Sequence, residues 1–434
     1  MKRRHFLALA GTSVAAGLLP GGAIAAADPM DALRNWCKLL LELVRHTATY
    51  TPPVASRAFA YISIAGYEAI AAGTGGRSLA GQLNGLTTLP ARADGVYDEA
   101  LVLHAVMSDA TAVFFANTGP SGQRAMAAMR DRFGAKINSG VAQDIAARSV
   151  AYGSAVASHI HDWSMTDGGA DVVNMGFPMT WTLTEGPAHW VPTSKVVQQQ
   201  APLLPNWGKN RPFAMPVGVA CPIAAPLDYS EEPASAFYAE AMEVYTTTKS
   251  LSDEQKKIAR FWSDDPMLSP TPPGHWVSIA MQILQRDQAD LIQSLDVLAR
   301  VGMAVADGFI ACWQAKYEYD LLRPVTYIKR LIDKTWEPML ITPPFPEYPS
   351  GHSTQSGAAA AVLTALFGEN FGFDDATHVD DNIPARHFDS FYAAADEAAI
   401  SRLYGGIHFR SAVMRGLDQG RCVGGHVNAL KTLG

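Results

Sequence analysis

Cysteine is scarce in this 434-residue chain, and the spacing of the few that occur excludes one class of metal site. No two of them form a C-x-x-C pair, so the sequence does not encode a zinc ribbon. An even number of cysteines permits disulfides in an exported protein, but the spacing leaves their pairing undetermined. The four residues are Cys37, Cys221, Cys312 and Cys422.

The sequence also lacks strand patterns, long apolar runs after the first residues and an excess of basic charge. Alternating Val/Ile/Thr runs with Asn-Gly turns are almost absent, which argues against a sheet protein. Past residue 27, no apolar run reaches the roughly 18 residues needed to cross a bilayer, so we expect no membrane span in the mature chain. The net charge of −7, from 34 basic and 41 acidic residues, argues against a nucleic acid partner. Nothing in the sequence predicts the oligomeric state.

Residues 1–27 have the composition of an export signal. Lys2, Arg3 and Arg4 precede an apolar stretch, and a run of small residues ends at Ala27. This order is typical of a secretory signal peptide. The R-R-x-F-L run is similar to a twin-arginine signal, which predicts export to the periplasm or the medium after folding. A general secretory signal with two arginines is the alternative.

Most of the remaining chain repeats apolar residues at helical spacing, which predicts an all-α protein built from helical bundles. The first helix shows the pattern at Leu33, Trp36, Leu40 and Val44. We predict an N-terminal helical half over 28–163 and a C-terminal helical half over 233–434. Residues 164–232 between them are rich in Gly, Pro and Trp and lack an apolar stripe. This stretch is either a loop that lines a site or a crossing between bundles.

The first chemically notable segment is K-Y-E-Y-D-L-L-R-P, which holds Lys316 and Arg323. The two cations are seven positions apart, so on a continuous helix ending at Pro324 they share one face, about two turns apart. Trp313 lies on nearly the same face. A solvated helix face that carries a Lys and an Arg is the alternative interpretation.

The second segment, P-P-F-P-E-Y-P-S-G-H, leads into an alanine-rich helix. Ser350 is a suitable N-cap for that helix, and its amino end is a ready anion site. Gly351 leaves room for an anion to approach the backbone, and His352 stands beside it, placed for acid–base work. A capped helix with a polar first-turn histidine explains the pattern equally well.

The third segment, S-R-L-Y-G-G-I-H, separates Arg402 from His408 by a Gly405-Gly406 break. On an unbroken helix the two side chains would point about 240° apart. A turn at the glycines brings His408 back beside Arg402. The alternative is a capped helix followed by a loop histidine.

Together the three segments resemble the signature shared by the vanadium-dependent haloperoxidases, of the chloroperoxidase type, and the type-2 phosphatidic acid phosphatases. The resemblance covers the chain from about Phe261 onward. It implies an all-α fold built on two four-helix bundles, with vanadate as the cofactor. It also implies a set of groups that bind the oxygens of vanadate: Lys316, Arg323, Ser350, Gly351 and Arg402.

The same resemblance implies roles in catalysis. His408 would be the metal ligand that binds the vanadium, His352 would take the proton of hydrogen peroxide, and Lys316 would polarise the bound peroxide. Halide would then be oxidised to hypohalous acid, with a small organic molecule as a further acceptor. Trp313 and Phe345 match aromatic residues that flank the halide site, and aromatic edges suit a weakly hydrated anion.

Two alternatives use the same residues. An exported soluble acid phosphatase would use a phosphate ester as substrate and no cofactor, with His408 as nucleophile and His352 protonating the leaving group. A non-catalytic oxyanion-binding protein is the third hypothesis. The family signature often has an aspartate four residues after the histidine, where this chain has Ala412. A backbone carbonyl or Ser411 would then have to hold the second imidazole nitrogen.

The resemblance extends to an F-W-S-D-D run before the first segment. Asp265 or Asp264 in this run is a candidate to pair with Arg402 and fix its orientation.

Overall fold

Helices make up most of the chain, as the helical spacing of apolar residues predicts. A computed structural model describes residues 28–172, 175–194, 196 and 199–433; the predicted export signal, 1–27, lies outside these residues. The helices of the first half are α1 (Pro29–His46), α2 (Pro52–Thr74), α3 (Glu99–Phe114), α4 (Pro120–Ala128), α5 (Gly134–Ile137) and α6 (Gln143–Ser164). A π-helical turn, Met129–Phe133, joins α4 to α5.

The second half contains eight helices within the described residues and one small hairpin. The helices are α7 (Ala236–Lys249), α8 (Asp253–Phe261), α9 (Thr271–Arg286), α10 (Leu291–Tyr319), α11 (Pro324–Leu331), α12 (Gly351–Phe367), α13 (Phe391–Tyr404) and α14 (Arg410–Asn428). The hairpin pairs β1 (Phe373–Asp375) with β2 (Arg386–Phe388) in antiparallel register. The all-α prediction is confirmed. No described helix has the length and apolarity to cross a bilayer.

Local sequence explains where several helices begin. The side chains of Asp98, Asp290 and Ser390 accept hydrogen bonds from main-chain N–H groups of the first helical turn. These bonds satisfy donors that have no partner inside the helix. Ser252 and Gln255 form a reciprocal capping box at the start of α8.

Helix α10 is the central element of the fold because it packs against helices from both halves. It is 29 residues long and contacts α2 as well as α12. On the far side of α12 lies α14, and glycines allow these two helices to approach closely. A Cβ atom at Gly420 would lie 2.1 Å from the Thr354 carbonyl oxygen, and one at Gly357 would lie 2.5 Å from that of Leu417. Only glycine fits at these crossings.

The irregular stretch after α6 packs on the carboxyl end of α10. The carbonyl oxygen of Leu203 accepts hydrogen bonds from Trp313 Nε1 at 3.2 Å and from the Tyr317 hydroxyl at 2.6 Å. The N–H of Leu203 donates to the Pro344 carbonyl at 2.8 Å. Of the two interpretations of this stretch, the contacts favour a lining loop, since they fasten it to two of the three segments singled out in the sequence.

A disulfide joins this irregular stretch to α14. It links Cys221 to Cys422 across a sequence separation of 201 residues, whereas Cys37 and Cys312 are free and buried. Cross-linking residues so far apart restricts the unfolded chain strongly.

We therefore expect the double variant Cys221→Ser, Cys422→Ser to lose about 2–4 kcal/mol of unfolding free energy. Urea denaturation monitored by circular dichroism measures this loss. A reductant should lower the stability of the wild type and leave that of the double variant unchanged. Equal stability of the two proteins without reductant would contradict the expectation.

Candidate active site

Lys316 and Arg323 approach one another, but not along a single helix as the sequence predicted. Helix α10 ends at Tyr319, where Asp320 takes a left-handed conformation with φ 46°. Arg323 is the N-cap of the separate helix α11, whose first residue is Pro324. The prediction of one continuous helix through Arg323 is therefore wrong. The reason is that Asp320 tolerates the left-handed conformation that ends a helix, while Pro324 suits the first position of the next one.

Lys316 is fully buried, and main-chain carbonyls surround its ammonium group. Nζ donates to the carbonyl oxygens of Pro346 and Glu347, both at 2.9 Å, and to that of Pro349 at 2.5 Å. Burial lowers the pKa of Lys316 to about 7. An oxyanion oxygen that binds Nζ must take the place of one of these carbonyls. The lysine thus connects α10 to the proline-rich segment that precedes α12.

Arg323 is also fully buried and keeps one donor group free. Its Nε donates to the Phe345 carbonyl at 2.9 Å, and Nη1 donates to the Ile407 carbonyl at 2.8 Å. The second terminal nitrogen, Nη2, has no hydrogen-bond partner. A buried guanidinium with an unsatisfied donor is costly, so this atom marks a place where an anion would be stabilised.

The amino end of α12 presents the second segment. Ser350 is the N-cap, as predicted, and its hydroxyl accepts the N–H of Ser353 at 3.3 Å. His352 lies in the first turn, and its Nε2 is buried without a partner. Burial, reinforced by the nearby charge of Arg402, lowers the pKa of His352 well below its ordinary value. At neutral pH this imidazole is therefore uncharged and able to accept a proton.

Gly351 is the first residue of α12. A Cβ atom here would meet the rings of Trp313 and Phe309 at 3.5 and 3.6 Å, which are ordinary contact distances. Packing against these rings therefore does not by itself require glycine at this position.

Arg402 is buried near the end of α13, but it does not form the predicted ion pair with an aspartate. Its Nε donates to the Ser401 hydroxyl at 2.9 Å, and Nη2 donates to the carbonyl oxygens of Trp262 and Ala259. Burial lowers the pKa of Arg402 to about 10, against the opposing charges of Asp264 and Asp265. The predicted pairing is wrong because main-chain carbonyls before Asp264 occupy these donors.

His408 is the point at which the three segments meet. Helix α13 ends at Tyr404, and Gly406 has a φ of 77°, so the chain turns back as predicted. Nε2 of His408 lies 3.2 Å from Nη1 of Arg323. Burial and nearby charges lower the pKa of His408 well below its ordinary value. The neighbouring groups that lower it come from all three segments: Arg323, Lys316, Arg402 and His352.

A glutamate that the sequence analysis did not single out holds the other side of this histidine. Glu347 Oε1 lies 2.8 Å from His408 Nδ1 and accepts the main-chain N–H of Phe409 at 2.8 Å. Burial raises the pKa of Glu347 to about 8, although Arg323 and Lys316 oppose the shift. The only sequence signal was a carboxylate inside the proline-rich segment, three residues before Ser350.

Trp313 and Phe345 form an aromatic wall beside the cations. Their ring centroids lie 4.9 Å apart, and the centroid of Phe345 lies 5.1 Å from Lys316 Nζ. The guanidinium carbon of Arg323 lies 4.9 Å from the same centroid. The Trp313 N–H donates to Leu203, so the indole presents its carbon surface to the neighbouring groups. Trp313 is buried and Phe345 is partly buried, and apolar surroundings of this kind strengthen the field of nearby charges.

The residues present suit vanadate in charge and in donor chemistry. Three buried cations, Lys316, Arg323 and Arg402, meet near His408 with one carboxylate in contact, that of Glu347. Several polar atoms there are buried and have no partner: the donor Arg323 Nη2, the hydroxyl Ser353 Oγ, which can also donate, and the acceptors His352 Nε2 and Glu347 Oε2. An uncompensated buried positive charge is unstable unless an anion neutralises it. An oxyanion with several oxygen acceptors would satisfy both the charge and the free donors.

A second buried network lies next to this site, and only Asp264 among its residues was a candidate from the sequence. His275 Nδ1 lies 2.9 Å from Asp264 Oδ2, and its Nε2 lies 2.7 Å from Asp375. His378 Nε2 lies 3.1 Å from Asp264 Oδ1. Burial opposes the charged form of His275, but the two carboxylates outweigh it and raise its pKa to about 10. These residues are far apart in sequence, so no spacing rule could have connected them.

The chain is similar to known proteins in sequence and in fold. A family model described as the VCPO second helical-bundle domain matches residues 296–432. Vanadium chloroperoxidase from Curvularia inaequalis is 24% identical over 211 residues, which are 35% of this chain and 35% of that protein. The chain thus aligns with about a third of the length of this curated relative.

Solved structures extend the similarity to nearly the whole chain. The crystal structure of a bacterial vanadium-dependent iodoperoxidase superposes with a TM-score of 0.83 at 38% identity, covering 93% of this chain and 97% of that one. A holo-type bacterial vanadium-dependent chloroperoxidase superposes with a TM-score of 0.65 at 16% identity, covering 95% and 93% of the two chains. The second similarity concerns the fold alone.

Proposed function

This chain belongs to the vanadium haloperoxidase family, and we propose that it is a vanadate-dependent enzyme that uses hydrogen peroxide to oxidise halide to hypohalous acid. We further propose iodide as its preferred halide. The similarity to the bacterial iodoperoxidase, at 38% identity over 93% of the chain, supports this choice. Iodide is also more easily oxidised than bromide or chloride. The observation that carries the proposal is the meeting of three buried cations and the His352 imidazole around His408.

The residues that would hold vanadate come from all three segments. His408 would offer its Nε2 lone pair to the vanadium, and Arg323 would offer its free Nη2 donor to an oxygen. Lys316, Arg402 and the amino end of α12 would supply further positive charge. When bound, vanadate supplies a Lewis-acidic centre that activates peroxide without a change in its own oxidation state.

Proton transfer in this proposal belongs to His352. Its Nε2 is buried and unpaired, and its lowered pKa keeps the imidazole neutral, so it can take the proton of hydrogen peroxide. Lys316, whose pKa burial lowers to about 7, would donate a hydrogen bond that polarises the peroxide. The wall of Trp313 and Phe345 would exclude water from the halide. A small organic acceptor would then react with the hypohalous acid.

Export is a separate proposal, and the disulfide supports it. We propose that the arginine-rich start of the chain directs export by the twin-arginine route to the periplasm or the medium. Disulfides such as Cys221–Cys422 form and persist in oxidising compartments. Fusing residues 1–27 to a reporter and replacing Arg3 and Arg4 by lysine tests the proposal; export that survives the replacement would contradict it.

The test of the function is a steady-state assay with vanadate, hydrogen peroxide and each halide in turn. We expect turnover that depends on vanadate, with kcat/KM highest for iodide. A parallel assay with a small phosphate monoester covers the phosphatase alternative, for which vanadate would act as an inhibitor. Phosphate release without halide oxidation would overturn the proposal in favour of that alternative, and binding without either turnover would favour a non-catalytic protein.

A further inference from the structure

The residue four positions after His408 is Ala412, so the expected source of a carboxylate for this histidine is missing. The structure supplies one from a different segment, the proline-rich approach to α12. We propose that Glu347 is the positioning residue of His408: it fixes the tautomer and the orientation of the imidazole, so that the Nε2 lone pair faces the oxyanion. The inference builds on the proposed function, but its tautomer part does not require it.

The first argument comes from the Nε2 side of the ring. Nη1 of Arg323 lies 3.2 Å from His408 Nε2, and a guanidinium nitrogen can only donate a hydrogen bond. Nε2 must therefore accept, which means that it carries a lone pair and no proton. A neutral imidazole with an unprotonated Nε2 carries its proton on Nδ1.

The second argument comes from the opposite side of the ring and agrees with this tautomer. Oε1 of Glu347 lies 2.8 Å from His408 Nδ1 and 2.8 Å from the main-chain nitrogen of Phe409. A main-chain N–H only donates, so this oxygen already acts as an acceptor. Because Nδ1 carries the proton, as the contact at Nε2 requires, this oxygen accepts from Nδ1 as well. Hydrogen bonds on both sides of the ring thus keep Nε2 unprotonated, as a metal ligand must be.

The third argument concerns rigidity, because a positioning group must itself be held. Glu347 has no solvent exposure, and its main-chain N–H donates to the Leu321 carbonyl at 2.9 Å. Its own carbonyl oxygen accepts from Lys316 Nζ at 2.9 Å. The glutamate thus joins the histidine, the lysine and the turn before Arg323 in one connected unit.

Ala412 contacts the amino end of α12 through its main chain. Its carbonyl oxygen accepts the N–H of Ser350 at 3.1 Å, and its side chain is fully buried. Position 412 therefore joins α14 to the amino end of α12 through its main chain. Glu347 makes the contact to His408 Nδ1 that an aspartate at position 412 would otherwise make.

The test compares Glu347→Ala and Glu347→Gln with a matched control, Glu240→Ala. Glu240 is also a partly buried glutamate near this turn, and it accepts from the N–H and hydroxyl of Ser411 at 2.9 and 2.8 Å, without a contact to His408. Two quantities are measured in each protein. The first is the tautomer of His408, from ¹⁵N NMR of histidine-labelled protein without vanadate. The second is the dissociation constant for vanadate, from equilibrium dialysis.

We expect Glu347→Ala to lose the preference for the Nδ1-protonated tautomer and to bind vanadate about 10–100-fold more weakly. Glu347→Gln can still accept both hydrogen bonds through its amide oxygen, so it should keep the tautomer and lose less than about tenfold in affinity. Glu240→Ala should match the wild type in both quantities. This difference separates a positioning role from a general effect on the fold.

A Glu347→Ala protein that folds, keeps the Nδ1-protonated tautomer and binds vanadate within twofold of the wild type would overturn the proposal. If that variant does not fold, Glu347→Met takes its place, since methionine fills the volume without offering a strong acceptor. If the wild type binds no vanadate, the proposed function fails, and the tautomer measurement alone still decides the role of Glu347.

Discussion

Replacing His408 with alanine is expected to lower vanadate-dependent halide oxidation by a factor on the order of 10³ or more. Loss of one preorganised group at a reacting centre already costs about 10²–10³ in rate, and His408 is the proposed ligand of the vanadium itself. The remaining cations should still attract the oxyanion without orienting it. Steady-state kinetics at saturating peroxide and iodide, over a range of vanadate concentrations, measures the loss.

His387→Ala provides the control for this variant. His387 is exposed and pairs with Asp374 on the hairpin. Its removal should change turnover by less than twofold. A His408→Ala enzyme that keeps more than a tenth of wild-type turnover at any vanadate concentration would show that another group binds the vanadium.

Replacing His275 with alanine is expected to lower the free energy of unfolding by roughly 3–5 kcal/mol. The imidazolium lies between two carboxylates, at 2.9 Å from Asp264 and 2.7 Å from Asp375, and all three side chains are buried. Its removal leaves two buried negative charges with less compensation. Urea denaturation at pH 6 measures the loss, and the exposed His387→Ala variant should lose less than about 1 kcal/mol.

The raised pKa of His275 predicts how the stability of the protein depends on pH. The pKa of His275 is raised to about 10 in the folded protein, above its ordinary value of 6.5. Its stabilising contribution is therefore complete below pH 6.5 and is lost as the pH rises towards 10. Over that range the wild type should lose up to about 1.4 kcal/mol per pH unit more than the His275→Ala variant. Parallel pH profiles for the two proteins would contradict the assignment of an imidazolium.

Local patterns in the sequence predicted much of the fold because the helices depend on nearby residues. The apolar spacing predicted the first helix, Ser350 was predicted as the cap of α12, and the Gly405-Gly406 break was predicted to return the chain at His408. In each case the conformation follows from side chains within one or two helical turns.

The predictions that were wrong or missing mostly concern contacts between distant parts of the chain. Nothing near Arg402 indicates that the carbonyl oxygens of Ala259 and Trp262 would occupy its donors. Likewise, Glu347 reaches His408 only because the fold places the proline-rich segment beside the turn after α13. The left-handed conformation of Asp320 is local, but aspartate also occurs within helices, so the residue type did not predict a helix end.

The central claim is that three separate segments form one vanadate site, and vanadium content tests it most directly. Protein equilibrated with vanadate and freed of excess by ultrafiltration is analysed for vanadium per chain, for the wild type and for Arg323→Ala, His352→Ala and His408→Ala. We predict one vanadium per wild-type chain and a lower content in each variant, with the largest loss in His408→Ala. Wild-type protein that retains no vanadium, or variants that all retain one per chain, would contradict the account.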